Sequence, residues 1–312
     1  MLNENPKLPR WIYLLLIFLV LASCRMDQDA GELIPEFTEY QKESGIDYLE
    51  ILVYGDAGTG DDGQRLTASA MSDYVQNPVN QIEFIINLGD SFYSVGVESV
   101  TDPQWYSTFE SIYDPDILSM PFYSILGNHD YQGNIGAQLE YVSPNNDRWQ
   151  MPSFFYKQSR TLPDGTKADF LFLDTESIFY GDAEQLVWLD SCLEESDADW
   201  KIVCGHKPLF SNGDHGSNGP LIARLQEILD HRADLYICGH EHDLQILDKV
   251  NGVYYIVNGA AARLRDTSVG DNTILAASRI GFMTLLMSES ELVCKVIESG
   301  SGIINTTVLK EK

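Results

Sequence analysis

At 312 residues, with no low-complexity linker, the chain is long enough for one large α/β domain and offers no reason to divide it. A formal net charge of −27 and an isoelectric point near 4.3 argue against nucleic acid as a partner, because duplex binding needs clustered cations against the phosphates. The acidic surface serves solubility, and an anionic substrate would need a local source of positive charge.

The first element is a targeting segment. Lys7 and Arg10 precede an apolar stretch from Trp11 to Leu21, and Leu21-Ala22-Ser23-Cys24 follows. The stretch is too short to span a bilayer comfortably, so 1–23 reads as a signal peptide. The tetrad resembles the bacterial lipobox, whose cysteine becomes the lipidated first residue of the mature chain. The expectation is an exported, membrane-anchored lipoprotein, periplasmic or on the cell surface, attached to the membrane through Cys24. A polar, acidic flexible tether over 24–45 would lead into one folded domain over 46–312. Of the remaining cysteines, Cys204 and Cys238 each lie inside an apolar run, where cysteine serves as a small buried hydrophobe; free thiols are expected for Cys192, Cys204, Cys238 and Cys294.

Beyond the tether, residues 48–54 read as a buried strand and Asp61 to Gln76 as a helix with one apolar face, stopping before Asn77-Pro78. Ile82 to Leu88 form a second strand, Pro103 to Tyr113 a short helix, and Pro121 to Leu126 a third strand. Residues 131–167 are broken by Gly and Pro, with a loop or short helix near 137–141 and a strand near 154–158 that turns at Pro163-Asp164-Gly165 into Asp169 to Leu173. Helices are expected at Glu184 to Leu193 and Leu221 to Leu229, and strands at Lys201 to Cys204 and Leu235 to Cys238. Leu244 to Val250 and Val253 to Val257 make a hairpin around Asn251-Gly252. Phe282 to Met287 and Leu292 to Ile297 flank another short turn, and Thr306 to Leu309 add a last strand. Alternating strands and helices followed by antiparallel pieces give an α/β fold, either one mixed sheet or two packed face to face with helices outside.

The chemistry sits where apolar runs stop. Five runs end at a Gly-bounded turn carrying oxygen or imidazole donors: YLEILVYGDAG at Asp56, IEFIINLGDSFY at Asp90 and Tyr93, FYSILGNHD at Asn128 and His129, WKIVCGHKP at His206, and YICGHEH at His240 and His242. Parallel strands deliver the residues that follow them to one edge, so these donors should converge. Oxygen and imidazole without thiolate suit Fe, Mn or Zn. With His129 left out of the ligand count, the seven candidates Asp56, Asp90, Tyr93, Asn128, His206, His240 and His242 are too many for one transition metal with an open position and suffice for two if one carboxylate bridges. A phenolate ligand calls for a strongly acidic ion, and Fe(III) meets that better than a divalent metal.

The ordered set GDAG, GDSFY, GNHD, GHKP and GHEH resembles the purple acid phosphatases, the binuclear metallophosphoesterases typified by mammalian tartrate-resistant acid phosphatase. RWQMPSFFY at 148–156, LVWL at 186–189 and the DHG at 214–216 agree with it. The resemblance implies a metallophosphoesterase-type sandwich of two mixed β-sheets with flanking helices. It also implies Fe(III) held by Asp56, Asp90, Tyr93 and His242, and a divalent Fe, Zn or Mn held by Asp90, Asn128, His206 and His240, with Asp90 as the bridge. Asn128, His129 and His215 would contact the substrate, a phosphate monoester, and His129 and His215 would be the catalytic residues, His215 protonating the leaving alkoxide. In the extended GHEH segment, His240 and His242 point the same way while Glu241 points off. The resemblance also leaves a phosphodiesterase or nucleotidase of the wider superfamily, or a non-catalytic phosphate- or metal-binding lipoprotein, as alternatives. Lys207 and the NGAAARLR run depart from the mammalian pattern, so Lys207, Arg263 and Arg265 either bind a substrate's remote charge or pair with surface carboxylates. The stretch from Asp174 to Glu184 reads as a short connection in place of the longer regulatory loop of mammalian members.

Overall fold

A computed structural model describes residues 31–144 and 147–311; the expected signal peptide and Cys24 lie outside them. Among the described residues the strands are β1 (Leu49–Tyr54), β2 (Ile82–Asn87), β3 (Phe122–Ser124), β4 (Trp149–Gln150), β5 (Tyr156–Thr161), β6 (Lys167–Phe172), β7 (Trp200–Cys204), β8 (Leu235–Cys238), β9 (Leu244–Val250), β10 (Val253–Asn258), β11 (Thr273–Ala277), β12 (Gly281–Met287), β13 (Glu291–Glu298) and β14 (Gly302–Glu311). The α-helices are α1 (Asp62–Gln76), α2 (Ile135–Glu140), α3 (Thr175–Tyr180), α4 (Glu184–Glu195) and α5 (Gly219–Leu229).

These strands form two seven-stranded sheets, ordered β14-β13-β12-β1-β2-β3-β4 and β11-β9-β10-β8-β7-β6-β5. In the first, β1, β2, β3 and β4 run parallel; in the second, β6, β7, β8 and β10 do. The antiparallel carboxyl-terminal strands extend both sheets: β12 pairs with β1, and β9 pairs with β10. The expected sandwich of two mixed sheets is the observed fold.

Period-two alternation explains why the central strands are apolar on both faces. Leu49, Ile51 and Val53 of β1 enter the core between the sheets with Phe84, Phe170, Ile202 and Ile237, while Leu52 and Tyr54 face outward against Met71 of α1 and Phe282. On the other outer face, Leu221, Leu225 and Leu229 of α5 pack over Val203 and Tyr236 with no side-chain exposure. Each such leucine contributes roughly 1.5–3 kcal/mol. α5 starts where the sequence permits: Asn218 accepts from the Leu221 N–H and a proline occupies the first turn.

Some elements differ from expectation. The helix expected over 103–113 runs over 103–110 and is widened at Trp105–Glu110. The short connection between Asp174 and Glu184 contains α3, whose first N–H groups at Glu176 and Ser177 donate to the Asp174 carboxylate. From residue 31 onward the expected tether packs on the domain: Leu33 pairs with Ala276, Glu32 bonds Arg279, and Lys42 reaches Glu50 at 2.7 Å. Cys192, Cys204, Cys238 and Cys294 are free thiols, Cys192 being half-buried and the others buried. No helix of the described residues is long and apolar enough to cross a membrane.

Candidate metal centre

The parallel strands set the site. Asp56 follows β1, Asp90 and Tyr93 follow β2, and Asn128 follows β3, all in the first sheet; His206 follows β7, and His240 and His242 follow β8, in the second. Asp56, Asp90 and His240 have left-handed backbones, with φ of 58°, 51° and 69°. That conformation costs an L-residue about 1–2 kcal/mol, a strain glycine would not carry. The neighbouring glycines leave room for them. A Cβ on Gly127 would come 2.1 Å from Asp90 Oδ1, and one on Gly239 would come 2.4 Å from Asp56 Oδ2.

The seven expected ligands converge as two overlapping groups. The Tyr93 hydroxyl lies 3.0 Å from Asp56 Oδ1, 2.9 Å from Asp90 Oδ2 and 3.2 Å from His242 Nε2. His206 Nε2 lies 3.2 Å from Asn128 Oδ1, 3.3 Å from His240 Nδ1 and 3.5 Å from the same Asp90 Oδ2. Asp56, Asp90 and His206 by themselves bring one donor atom each within 4.8 Å of one another, among the described residues. Backbone amides hold the remaining carboxylate oxygens: the His240 N–H donates to Asp56 Oδ2 at 2.7 Å, and the His129 N–H to Asp90 Oδ1 at 2.8 Å.

This donor set fits metal ions. His206 Nδ1–H donates to the Leu88 carbonyl at 2.9 Å, which turns Nε2 toward the oxygens of Asn128 and Asp90. Lone pairs facing lone pairs are repulsive unless positive charge sits among them. The titrations carry the same message. Burial raises the Asp56 carboxyl to about 7 against the pull of His206, with Asp90 adding to the rise. Burial, then Asp56 and Asp90, push the Tyr93 phenol far above its ordinary value. Burial lowers His242 to about 4 and, with His206 and His215 nearby, holds His240 well below its usual range. Buried acids and neutral imidazoles suit ions that take the place of protons.

His129 and His215 stand beside the ligands. The His129 ring packs on Tyr93 with 4.6 Å between centroids, and its Nδ1–H donates to the Ser94 carbonyl at 2.7 Å. The His215 ring lies 4.7 Å from that of His240. Two supporting residues, Glu241 and Thr175, were not foreseen as such from sequence. Glu241, fully buried, accepts the His215 backbone N–H at 2.8 Å on Oε1 and faces its Nδ1 at 3.1 Å with Oε2. The segment is not extended as expected: residues 240–243 bend and His240 has φ 69°, and Glu241 meets His215; the signal was a carboxylate between two histidines of an otherwise apolar strand end. Thr175 Oγ1 accepts the backbone N–H groups of His206 and Lys207 at 3.2 and 3.0 Å. Asp130 Oδ2 accepts the Gly127 N–H at 2.8 Å and the Ser91 N–H at 3.4 Å and so holds the turns that carry Asn128 and Asp90.

Fold and site together define a hydrolase-type centre in which two donor groups share one carboxylate across a β-sandwich. The chain belongs to the calcineurin-like phosphoesterase family, whose pattern matches residues 49–244, and within it to the purple acid phosphatases. It is 33% identical over 242 residues to tartrate-resistant acid phosphatase type 5 of Oryctolagus cuniculus, a match covering 70% of this chain and 74% of that one. It is 34% identical over 239 residues to purple acid phosphatase 7 of Arabidopsis thaliana, covering 69% and 70%. Among solved structures it is similar to "GAP50 the anchor in the inner membrane complex of Plasmodium", with 28% identity, a TM-score of 0.78, and coverage of 85% of this chain and 90% of that one.

Proposed function

We propose that the protein is an acid phosphatase that hydrolyses phosphate monoesters at a binuclear metal centre, an Fe(III) beside a divalent Fe, Zn or Mn. One observation carries this reading: Asp90 Oδ2 faces both Tyr93 and His206, so a single carboxylate oxygen belongs to both donor groups. Asp56, Asp90, Tyr93 and His242 would hold the Fe(III), and Asp90, Asn128, His206 and His240 the divalent ion. The ions supply Lewis acidity, neutralising charge on the phosphoryl oxygens and acidifying water.

The chain's own residues supply the rest. Asn128, His129 and His215 contact the phosphoryl group and the ester oxygen. Ser94 occupies Nδ1 of His129 and Glu241 faces Nδ1 of His215, which leaves Nε2 of each ring for the substrate. To protonate the leaving alkoxide oxygen, His215 would carry protons on both nitrogens, giving up the one on Nε2 while its Nδ1–H stays on Glu241, which holds the orientation of the ring.

The likeness to a protein titled as an anchor motivates a second reading, a non-catalytic binding protein. The convergence of all seven donors favours the enzyme. Metal-loaded protein assayed with p-nitrophenyl phosphate and bis(p-nitrophenyl) phosphate separates the readings: turnover of the monoester over the diester is expected, diester preference would indicate a phosphodiesterase, and full metal occupancy without turnover would establish the binding protein. Export and anchoring at Cys24 belong to the same proposal, motivated by the Leu21-Ala22-Ser23-Cys24 sequence. Cys24→Ser should release the protein from membranes, and unchanged membrane retention would rule the anchor out.

A further inference from the structure

The three cations beside the site have different partners. Lys207 is committed: its ammonium lies 2.8 Å from the Glu176 carboxylate and 4.4 Å from the Phe179 ring centroid. Arg265 is built into the metal-site scaffold, donating from Nη1 to the His240 carbonyl at 3.0 Å and from its backbone N–H to the His242 carbonyl at 2.9 Å. Arg263 is held differently. Its side chain is 54% exposed and sits over the ring of Tyr93, with the guanidinium carbon 5.6 Å from the ring centroid. The Asp61 carboxylate stands at 3.8 Å, beyond hydrogen-bond range. Asp61 Oδ1 already accepts the N–H groups of Gly63 and Gln64 at the start of α1.

The backbone around Arg263 is fixed on both sides. The preceding residue, Ala262, is buried against α1 so closely that a Cβ on Gly63 would come 2.1 Å from its carbonyl oxygen. The following loop is tied by Arg265 to the strand end that carries His240 and His242. A cation is thus positioned at the rim, one aromatic ring away from the donor cluster, on a chain whose net charge is −27. Its ion pair with Asp61 Oδ2 at 3.8 Å makes no hydrogen bond, so a carboxylate or phosphate arriving with the substrate, the groups a guanidinium best receives, can take up its N–H donors.

We propose that Arg263 is a specificity residue that binds a second anionic group, a carboxylate or a further phosphate, on the far end of the substrate. The favoured esters then carry a second anionic group besides the scissile phosphate, as phosphates of small hydroxy acids or of already phosphorylated alcohols do, rather than phosphates of neutral alcohols. This rests on the phosphatase reading for where the scissile phosphoryl group sits.

Calorimetric binding of two non-hydrolysable phosphonates to the metal-loaded full-length chain tests it. Propylphosphonate and 3-phosphonopropionate differ by a carboxylate in place of the terminal methyl group. The wild type should bind 3-phosphonopropionate about fivefold to tenfold tighter, the scale of one partly exposed charge-assisted contact. Arg263→Ala should bring the ratio to about one, Arg263→Lys should keep part of it, and Arg232→Ala, at the far end of α5, should leave it intact. Equal binding of the two ligands by the wild type, or a ratio that survives Arg263→Ala, overturns the assignment while leaving the phosphatase reading in place. A metal-loaded wild type that binds neither phosphonate overturns both.

Discussion

The two sheets bring different chemistry to one edge. The first supplies the oxygen donors Asp56, Asp90, Tyr93 and Asn128, and the second supplies the imidazoles of His206, His240 and His242. Neither sheet holds a complete site. His242 reaches across to Tyr93, and Asp90 reaches across to His206, so the donor groups exist only when the sandwich is packed in register. The metal centre is therefore a seam between two half-sites, and metal binding should be coupled to how the sheets dock.

The largest effect should come from breaking the shared donor. Asp90→Ala removes an oxygen from both groups, and phosphatase activity should fall by at least about a thousandfold, the scale of losing a key electrostatic stabiliser. Metal analysis of the variant should show both ions depleted. Loss of one ion alone would show that the half-sites are independent.

Away from the edge, the first sheet has a charge cluster that tests its own stability. Burial would raise the Glu50 carboxyl, yet Lys295 at 3.2 Å, Lys42 at 2.7 Å and the Tyr74 hydroxyl at 2.7 Å hold it below its ordinary value. A depressed carboxylate stabilises the fold above its unfolded value, near 4.5, and that stability is lost as pH falls below it through the folded value. Glu50→Gln leaves Lys295 buried without its carboxylate and should cost about 3 kcal/mol in denaturant unfolding at neutral pH. The difference from wild type should shrink below pH 4.5. A pH-independent difference would show that Glu50 acts by shape alone.

The second sheet's contribution can be sharpened at Glu241. Glu241→Gln should lower kcat about tenfold to a hundredfold, as for residues that orient an active imidazole. The loss should be larger for an alkyl phosphate than for p-nitrophenyl phosphate, because the poorer leaving group depends more on a proton from His215. Equal losses on both esters would make Glu241 a purely structural residue.

The smallest effect on rate, with the clearest signal, should come from Tyr93→Phe. The iron-loaded wild type should absorb visible light by phenolate-to-iron charge transfer, and the variant should be bleached. A colourless, active, iron-free wild type would reject the Fe(III) assignment.

Much of this was legible in sequence because strand ends announce themselves. A buried parallel strand reads as a short apolar run, and a ligand after it needs a glycine beside it, so the strands leading to Asp56, Asp90, Asn128, His206 and His240 were found close to their observed bounds. Short elements were not. α3 is six residues capped by Asp174, and β4 is two residues paired with β3, too short for any periodicity. The supporting residues were hidden for another reason. Thr175 and Glu241 act on residues 31 and 26 positions away, respectively, and only the packing of α3 and of the 213–217 turn against the strand ends brings them there.

The central claim is that one site, assembled from two sheets, needs two ions. Titrating metal-free full-length protein with iron and zinc while following p-nitrophenyl phosphate hydrolysis and bound metal tests it most directly. Activity should rise until two ions are bound per chain and then level off. Full activity with a single bound ion would contradict it.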